Sequence, residues 1–137
     1  MATNPAFHII GHGHTGMTVR SMAKSLRFWK DILGFQIIWQ QDVPGSTTPS
    51  DPVHTMTGAP LGTSMRVVWI QLKGSDPGRV STLELIEYEL PPDVAEEQKS
   101  RTPHARSWDI GSLHINLMIQ GLDQIVESVK SEGFQIY

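Results

Sequence analysis

Cysteine is absent from the 137 residues, so neither a disulfide nor a thiolate takes part in the fold or its chemistry. Any metal site must therefore be built from His, carboxylate or carbonyl groups, a donor set that favours the harder divalent ions. Also lacking is a cluster of basic residues: 11 Lys and Arg against 14 Asp and Glu give a formal net charge of −3, which leaves no electrostatic footprint for nucleic acid or an anionic membrane. No run approaches the ~18 apolar residues of a membrane span. The amino terminus, MATNPAFHII, has no basic stretch leading into an apolar one. The expected setting is the cytoplasm, with a small molecule or a protein as partner. A hydrophobic content of 39% at this length suits one domain with a sizeable core.

The elements follow from periodicity. In HTGMTV, Thr15, Met17 and Val19 fall on one side of a strand and His14, Gly16 and Thr18 on the other. SMAKSLRFWKDILG then sets Met22, Leu26, Trp29 and Leu33 in an amphipathic stripe flanked by Ser25 and Ile32, with Ser21 as cap and Gly34 as stop. FQIIWQQDV, MRVVWIQL and STLELIEYEL read as strands, the last two joined by the turn-rich KGSDPGRV. Between the first two of these, Pro44 to Ser64 is mostly loop, with one short helical turn near DPVHTMTG. From Pro91 to Asp109 the charged, proline-bearing composition marks a surface linker between two halves.

The carboxy-terminal stretch repeats the beginning. His114 is followed by Ile115, Leu117 and Ile119 as His14 is followed by Thr15, Met17 and Val19, and Leu122, Val126 and Val129 restate Met22, Leu26 and Trp29. GFQI at Gly34 to Ile37 returns at Gly133 to Ile136, 99 positions later against 100 for the preceding matches, so the second helix lacks one residue. This period is too long for a solenoid and indicates a pseudo-symmetric pair of strand-helix-strand units. The first unit continues as β-α-β-β-β and occupies about 7–90, with the start of the second at about 111–137.

The stretches HTGMTVRSMAKSLRFWKDILGF, STLELIEYELPP and GSLHINLMIQGLDQIVESVKSEGF resemble the vicinal oxygen chelate superfamily of glyoxalase I, methylmalonyl-CoA epimerase, extradiol dioxygenases and the fosfomycin and bleomycin resistance proteins. The resemblance implies an α+β fold in which two β-α-β-β-β modules form a cupped mixed sheet around a divalent ion. It places ligands on the first and last strand of each module, which here match His14, Glu84 and His114, and a fourth, usually Glu, on the last strand of the second module. That strand is not among these residues. The expectation is a truncated chain, or one whose missing strands come from another polypeptide, with weak metal retention and a homodimer, swapped or intertwined, or a marginal monomer.

The residues agree with that assignment independently. Leu83 and Leu85 form one face of their strand while Glu84 shares the other with Ile86 and Tyr88, and a carboxylate on an inward sheet face is costly unless a cation neutralises it. Two His and one carboxylate with open positions suit Zn, Ni, Co, Mn or Fe(II). His12 shares the strand face of His14 and is the competing candidate there, while His8, His54 and His104 read as surface residues and Glu87 falls on the parity of the leucines. Phe28, Trp29 and Trp39 read as core or interface aromatics, and the Pro44 to Ser64 loop with Met56 is placed to cap the cleft. The resemblance implies Lewis-acid stabilisation of an enediolate or enolate by a lyase or isomerase, with the catalytic base unassigned. Its alternatives are Fe(II)-dependent extradiol-type cleavage, thiol transfer, and non-catalytic sequestration of a small molecule such as an antibiotic.

Overall fold

A computed structural model describes residues 13–72, 82–100, 115, 117 and 120–136. Strands β1 (Thr15–Thr18), β2 (Phe35–Val43), β3 (Ser64–Leu72) and β4 (Thr82–Glu89) form one mixed sheet in the order β1-β4-β3-β2. β1 lies parallel to β4, while β4 with β3 and β3 with β2 are antiparallel. The helical crossover after β1 carries the chain to the far edge, and β3 and β4 fill the space between. This is the α+β mixed sheet anticipated for the first module.

Alternation sorts the side chains onto two faces. On one, Phe35, Val68, Ile70, Leu83 and Leu85 are buried with Met22 of helix α1 (Met22–Leu26), and Leu26, Trp29 and Leu33 pack against them. The four-three-four stripe of the sequence is thus the helix face that meets the sheet. Ser21 caps α1, its hydroxyl accepting the Lys24 N–H at 3.4 Å. The single helix expected from Met22 to Leu33 changes character midway: Arg27–Ile32 is a π-helical segment, in which the Leu33 N–H reaches back to the Phe28 carbonyl at 3.1 Å. Gly34 closes it at φ 77°, a left-handed conformation that glycine adopts without steric cost.

The opposite face carries a smaller cluster. Val53 of helix α2 (Pro52–Thr57) is fully buried with Met65 and Val67, and Trp69, Ile86 and Tyr88 pack around it. Asp51 holds this loop. Its carboxylate, 1% exposed, accepts the N–H of Ser46 at 2.6 Å and of Val53 at 2.8 Å. Those bonds, Ser46 first, hold its pKa below the ordinary 3.8 against the opposing effect of burial. Met56 is 76% exposed and does not face the sheet, because α2 turns Val53 inward instead. His54, expected at the surface, is half-buried, with Nδ1 2.7 Å from the Ala59 carbonyl across the turn that ends α2.

Pro91 to Asp109, expected to be a linker, begins with helix α3 (Pro92–Ser100). Pro92 opens it where its missing N–H is no loss, and Asp93 in the first turn complements the helix dipole. Residues 101–109 lie outside the described residues. Of the second unit, Ile115 and Leu117 pack against the main core, and helix α4 (Leu122–Ser131) docks on the π segment. There Val129 is buried, the Phe134 ring lies 5.2 Å from that of Phe28, and Glu132 pairs with Arg27. Gly133 ends α4 at φ 78°, as Gly34 ends the first helix, but through different bonds: Gly133 N–H to Lys130 and Phe134 N–H to Val129. Phe134 to Ile136, expected to open a strand, belong to no helix or strand.

Candidate metal centre

One rung crosses the whole sheet on the face turned away from α1. Gly16 pairs with Glu84, Glu84 with Trp69, and Trp69 with Trp39. The parallel register of β1 on β4 sets His14, two residues before Gly16 and on the same face, beside the Glu84 carboxylate. His14 Nε2 lies 3.3 Å from Glu84 Oε2, with the side chains 38% and 19% exposed. Two of the three residues singled out in the sequence are therefore neighbours. His114, the third, and His12, the competitor of His14, lie outside the described residues, as do His8 and His104. Among the described residues no group of three or more His, Asp or Glu is assembled.

The pair fits one divalent ion. Two donors each about 2.1 Å from a common cation stand roughly 3.0 Å apart at a right angle and roughly 3.4 Å apart at the tetrahedral angle. The observed 3.3 Å falls in that interval. An imidazole nitrogen and a carboxylate oxygen are donors that Zn, Ni, Co, Mn and Fe(II) all accept. Gly16 leaves the carboxylate its room, since a Cβ there would stand 3.2 Å from Oε2.

Two aromatic residues complete the surroundings. The Trp69 indole N–H donates to Glu84 Oε1 at 2.9 Å, and its ring lies 4.8 Å from that of His14 at 39°. Trp39 meets Trp69 edge to face at 5.7 Å and is 44% exposed. Trp39 reaches this face through a bulge. The register of β2 on β3 slips between Ile37 and Trp39, so Ile37 stands opposite Ile70 and Trp39 opposite Trp69. Trp39 is thus a wall of the open face: of the two roles read from the sequence, core or interface, it does not take the core one. Phe28 and Trp29 do pack as expected, Trp29 edge to face on Phe35 at 5.2 Å.

Trp69 was missed in the sequence because MRVVWIQL is apolar on both faces, so alternation alone does not say which way its indole turns. Glu87 falls on the leucine face, as its parity indicated, and stands opposite Arg66, which pairs with Asp42. A separate hollow of about 390 Å³ lies between α2, β4 and α3, lined by Ala59, Pro60, Tyr88, Leu90 and Val94. It does not include the His14 and Glu84 pair.

Comparison with known proteins agrees with this architecture. The Glyoxalase/Bleomycin resistance protein/Dioxygenase superfamily matches residues 11–136, and the chain belongs to that superfamily. Curated proteins give a short match: the "Cytochrome c biogenesis ATP-binding export protein CcmA" of Agrobacterium fabrum (strain C58 / ATCC 33970) is 45% identical over 47 residues, 34% of this chain. The matched stretch spans only 19% of that protein's length. No solved structure matches the chain.

Proposed function

We propose that the chain is a divalent-metal-dependent enzyme of the glyoxalase type, a lyase or isomerase acting on a small substrate that presents two neighbouring oxygens. The observation that carries this reading is the 3.3 Å approach of His14 Nε2 to Glu84 Oε2 on the open sheet face. Family membership supports it, since metal-dependent enzymes are found in this superfamily together with non-catalytic members. The chemistry supplied by an ion held there is Lewis-acid polarisation of the substrate oxygens, which lowers the cost of removing a proton from the adjacent carbon.

In this reading His14 and Glu84 hold the ion from two adjacent strands, and His114 from the second unit is the third ligand. Trp39 and Trp69 form an aromatic wall that orients the substrate, while α2, seated through Val53, covers the far part of the same face. A homodimer in the cytoplasm, with or without exchanged strands, belongs to the proposal, because β1 forms the edge of the described sheet. No helix of the described residues is long and apolar enough to cross a membrane.

Metal content after dialysis tests the reading. Wild-type chain, though it holds the ion weakly, is expected to keep more divalent metal than His14→Ala, Glu84→Ala or His114→Ala; equal content in all four would remove the site. Solvent deuterium entering the substrate carbon next to the chelating oxygen identifies proton transfer. Oxygen consumption in its place supports the Fe(II) extradiol alternative, for which two His and one carboxylate are equally suitable. Non-catalytic binding is the second reading, favoured by the paired indoles of Trp39 and Trp69. It predicts that a planar ligand quenches their fluorescence with no metal present and no turnover.

A further inference from the structure

We propose that Trp69 is a positioning residue for the His14 and Glu84 pair: its indole N–H fixes one oxygen of the carboxylate, so that the other is the one presented beside the imidazole. This inference rests on the reading of that pair as a divalent-cation site. Three contacts among Trp69, Glu84 and His14 carry it. Trp69 Nε1 donates to Glu84 Oε1 at 2.9 Å. The other oxygen, Oε2, lies 3.3 Å from His14 Nε2. The ring of the same indole lies 4.8 Å from that of His14, centre to centre, at a tilt of 39°.

The chemistry of the indole makes this arrangement directional. Tryptophan has a single N–H donor and no acceptor, so it can engage a carboxylate oxygen but offers no lone pair to coordinate the ion in its place. An ionised carboxylate free at both oxygens can grip an ion through the two together. With Oε1 engaged from the β3 side, Glu84 is set to ligate through Oε2 alone, which leaves more of the ion's coordination positions for substrate oxygens. The indole ring meanwhile restricts rotation of the His14 imidazole. Trp69 is itself braced, because Trp39 meets it edge to face at 5.7 Å and 62°. Hydrogen bonds of this kind to ligating side chains typically change metal affinity by about 10- to 100-fold.

The test is Co(II) titration of the full chain, read by its visible absorption, with Trp69→Phe compared against Trp39→Phe. Trp69→Phe keeps an aromatic ring at that position and removes the N–H, the only polar group of the side chain, together with the second ring of the indole. Trp69→Phe is expected to bind Co(II) about tenfold or more weakly. Its absorption should weaken towards that of a higher-coordinate ion as Oε1 joins. Trp39→Phe weakens the brace but leaves the Trp69 N–H in place, and should change both by less than Trp69→Phe does. A wild-type spectrum in Trp69→Phe, whatever its affinity, overturns the proposal, because a structural loss alone would leave the bound geometry unchanged. His14→Ala and Glu84→Ala measured alongside separate the two levels: if both bind Co(II) as wild type does, the cation reading itself fails. Should Trp69→Phe not fold, the indole N–H resonances of wild-type chain decide: Trp39→Phe removes one of the four signals, and the nuclear Overhauser contact to the His14 ring protons picks out that of Trp69. The Trp69 signal is expected to resist solvent exchange and shift on addition of Zn(II). Free exchange with no shift while Zn(II) binds overturns the proposal.

Discussion

Between Met22 and Gly34 the first copy of the repeat has one residue more than the second has between Leu122 and Gly133, and the two helices absorb that difference in different ways. The first widens into a π-helical segment from Arg27 to Ile32; the second runs as α-helix to Ser131. Both then stop on a glycine at nearly the same left-handed φ, 77° and 78°. An added residue is thus taken up as one wide turn, which leaves the apolar stripe before it and the glycine stop after it in place. The copies differ in a second respect. The first brings its own sheet and, on that sheet, both His14 and Glu84, whereas the described part of the second rests on the first through Val129, Phe134 and Ile115.

That asymmetry sets the order of expected effects. Leu85 is fully buried at the centre of the first copy's core, so Leu85→Ala should cost about 3 kcal/mol in chemical denaturation. A loss below about 1 kcal/mol would mean that the first copy's core is not what stabilises the chain. Phe134→Ala removes the ring that docks α4 on Phe28 and should cost less, about 1 kcal/mol. Near-ultraviolet circular dichroism should change, while the far-ultraviolet signal stays close to that of wild type. An effect as large as that of Leu85→Ala would make the two copies one cooperative core.

Acid probes the same division. The Asp51 pKa is held below 3.8 by N–H donors, Ser46 first, and that of Glu132 below 4.5 by its hydrogen bond from Arg27. A carboxylate whose folded pKa is depressed contributes stability above its unfolded pKa, and the contribution is lost as pH falls through the folded value. Denaturation midpoints should therefore fall as pH drops below the ordinary carboxylate range. Asp51→Asn should flatten that fall more than Glu132→Gln, because the Arg27 and Glu132 pair is exposed and screened by salt. The smallest effect is expected from deleting Lys30, an exposed residue in the π segment. The shortened helix would match the second copy's length, and stability should change by no more than about 1 kcal/mol. Failure of this variant to fold would show that the wide turn is required and is not an absorbed insertion.

Much of the first copy was legible because its strands alternate and its helix has both stripe and stops. FQIIWQQDV forms a strand over its whole length, Ser21 and Gly34 bound the helical stretch, and Glu84 faces away from Leu83 and Leu85. The failures have local causes. The bulge at Ile38 reverses the parity of β2 beyond it, so strict alternation assigns Trp39 to the wrong face. Trp69 sits in a run apolar on both sides, and its contact with Glu84 depends on a hairpin register that the long KGSDPGRV connection does not fix. The charged composition after Pro91 hid a short helix, because its polar residues are those of a solvated helical face. Of the candidate site, the family resemblance pointed to the two residues that meet, with the repeat supporting His14 and strand parity supporting Glu84.

Anomalous diffraction from a Zn(II)-soaked crystal of the full chain tests the central claim most directly. A single strong peak about 2.0–2.2 Å from both His14 Nε2 and Glu84 Oε2 is the expected result. A fully occupied zinc peak elsewhere, with those two side chains still 3.3 Å apart and nothing between them, would contradict it.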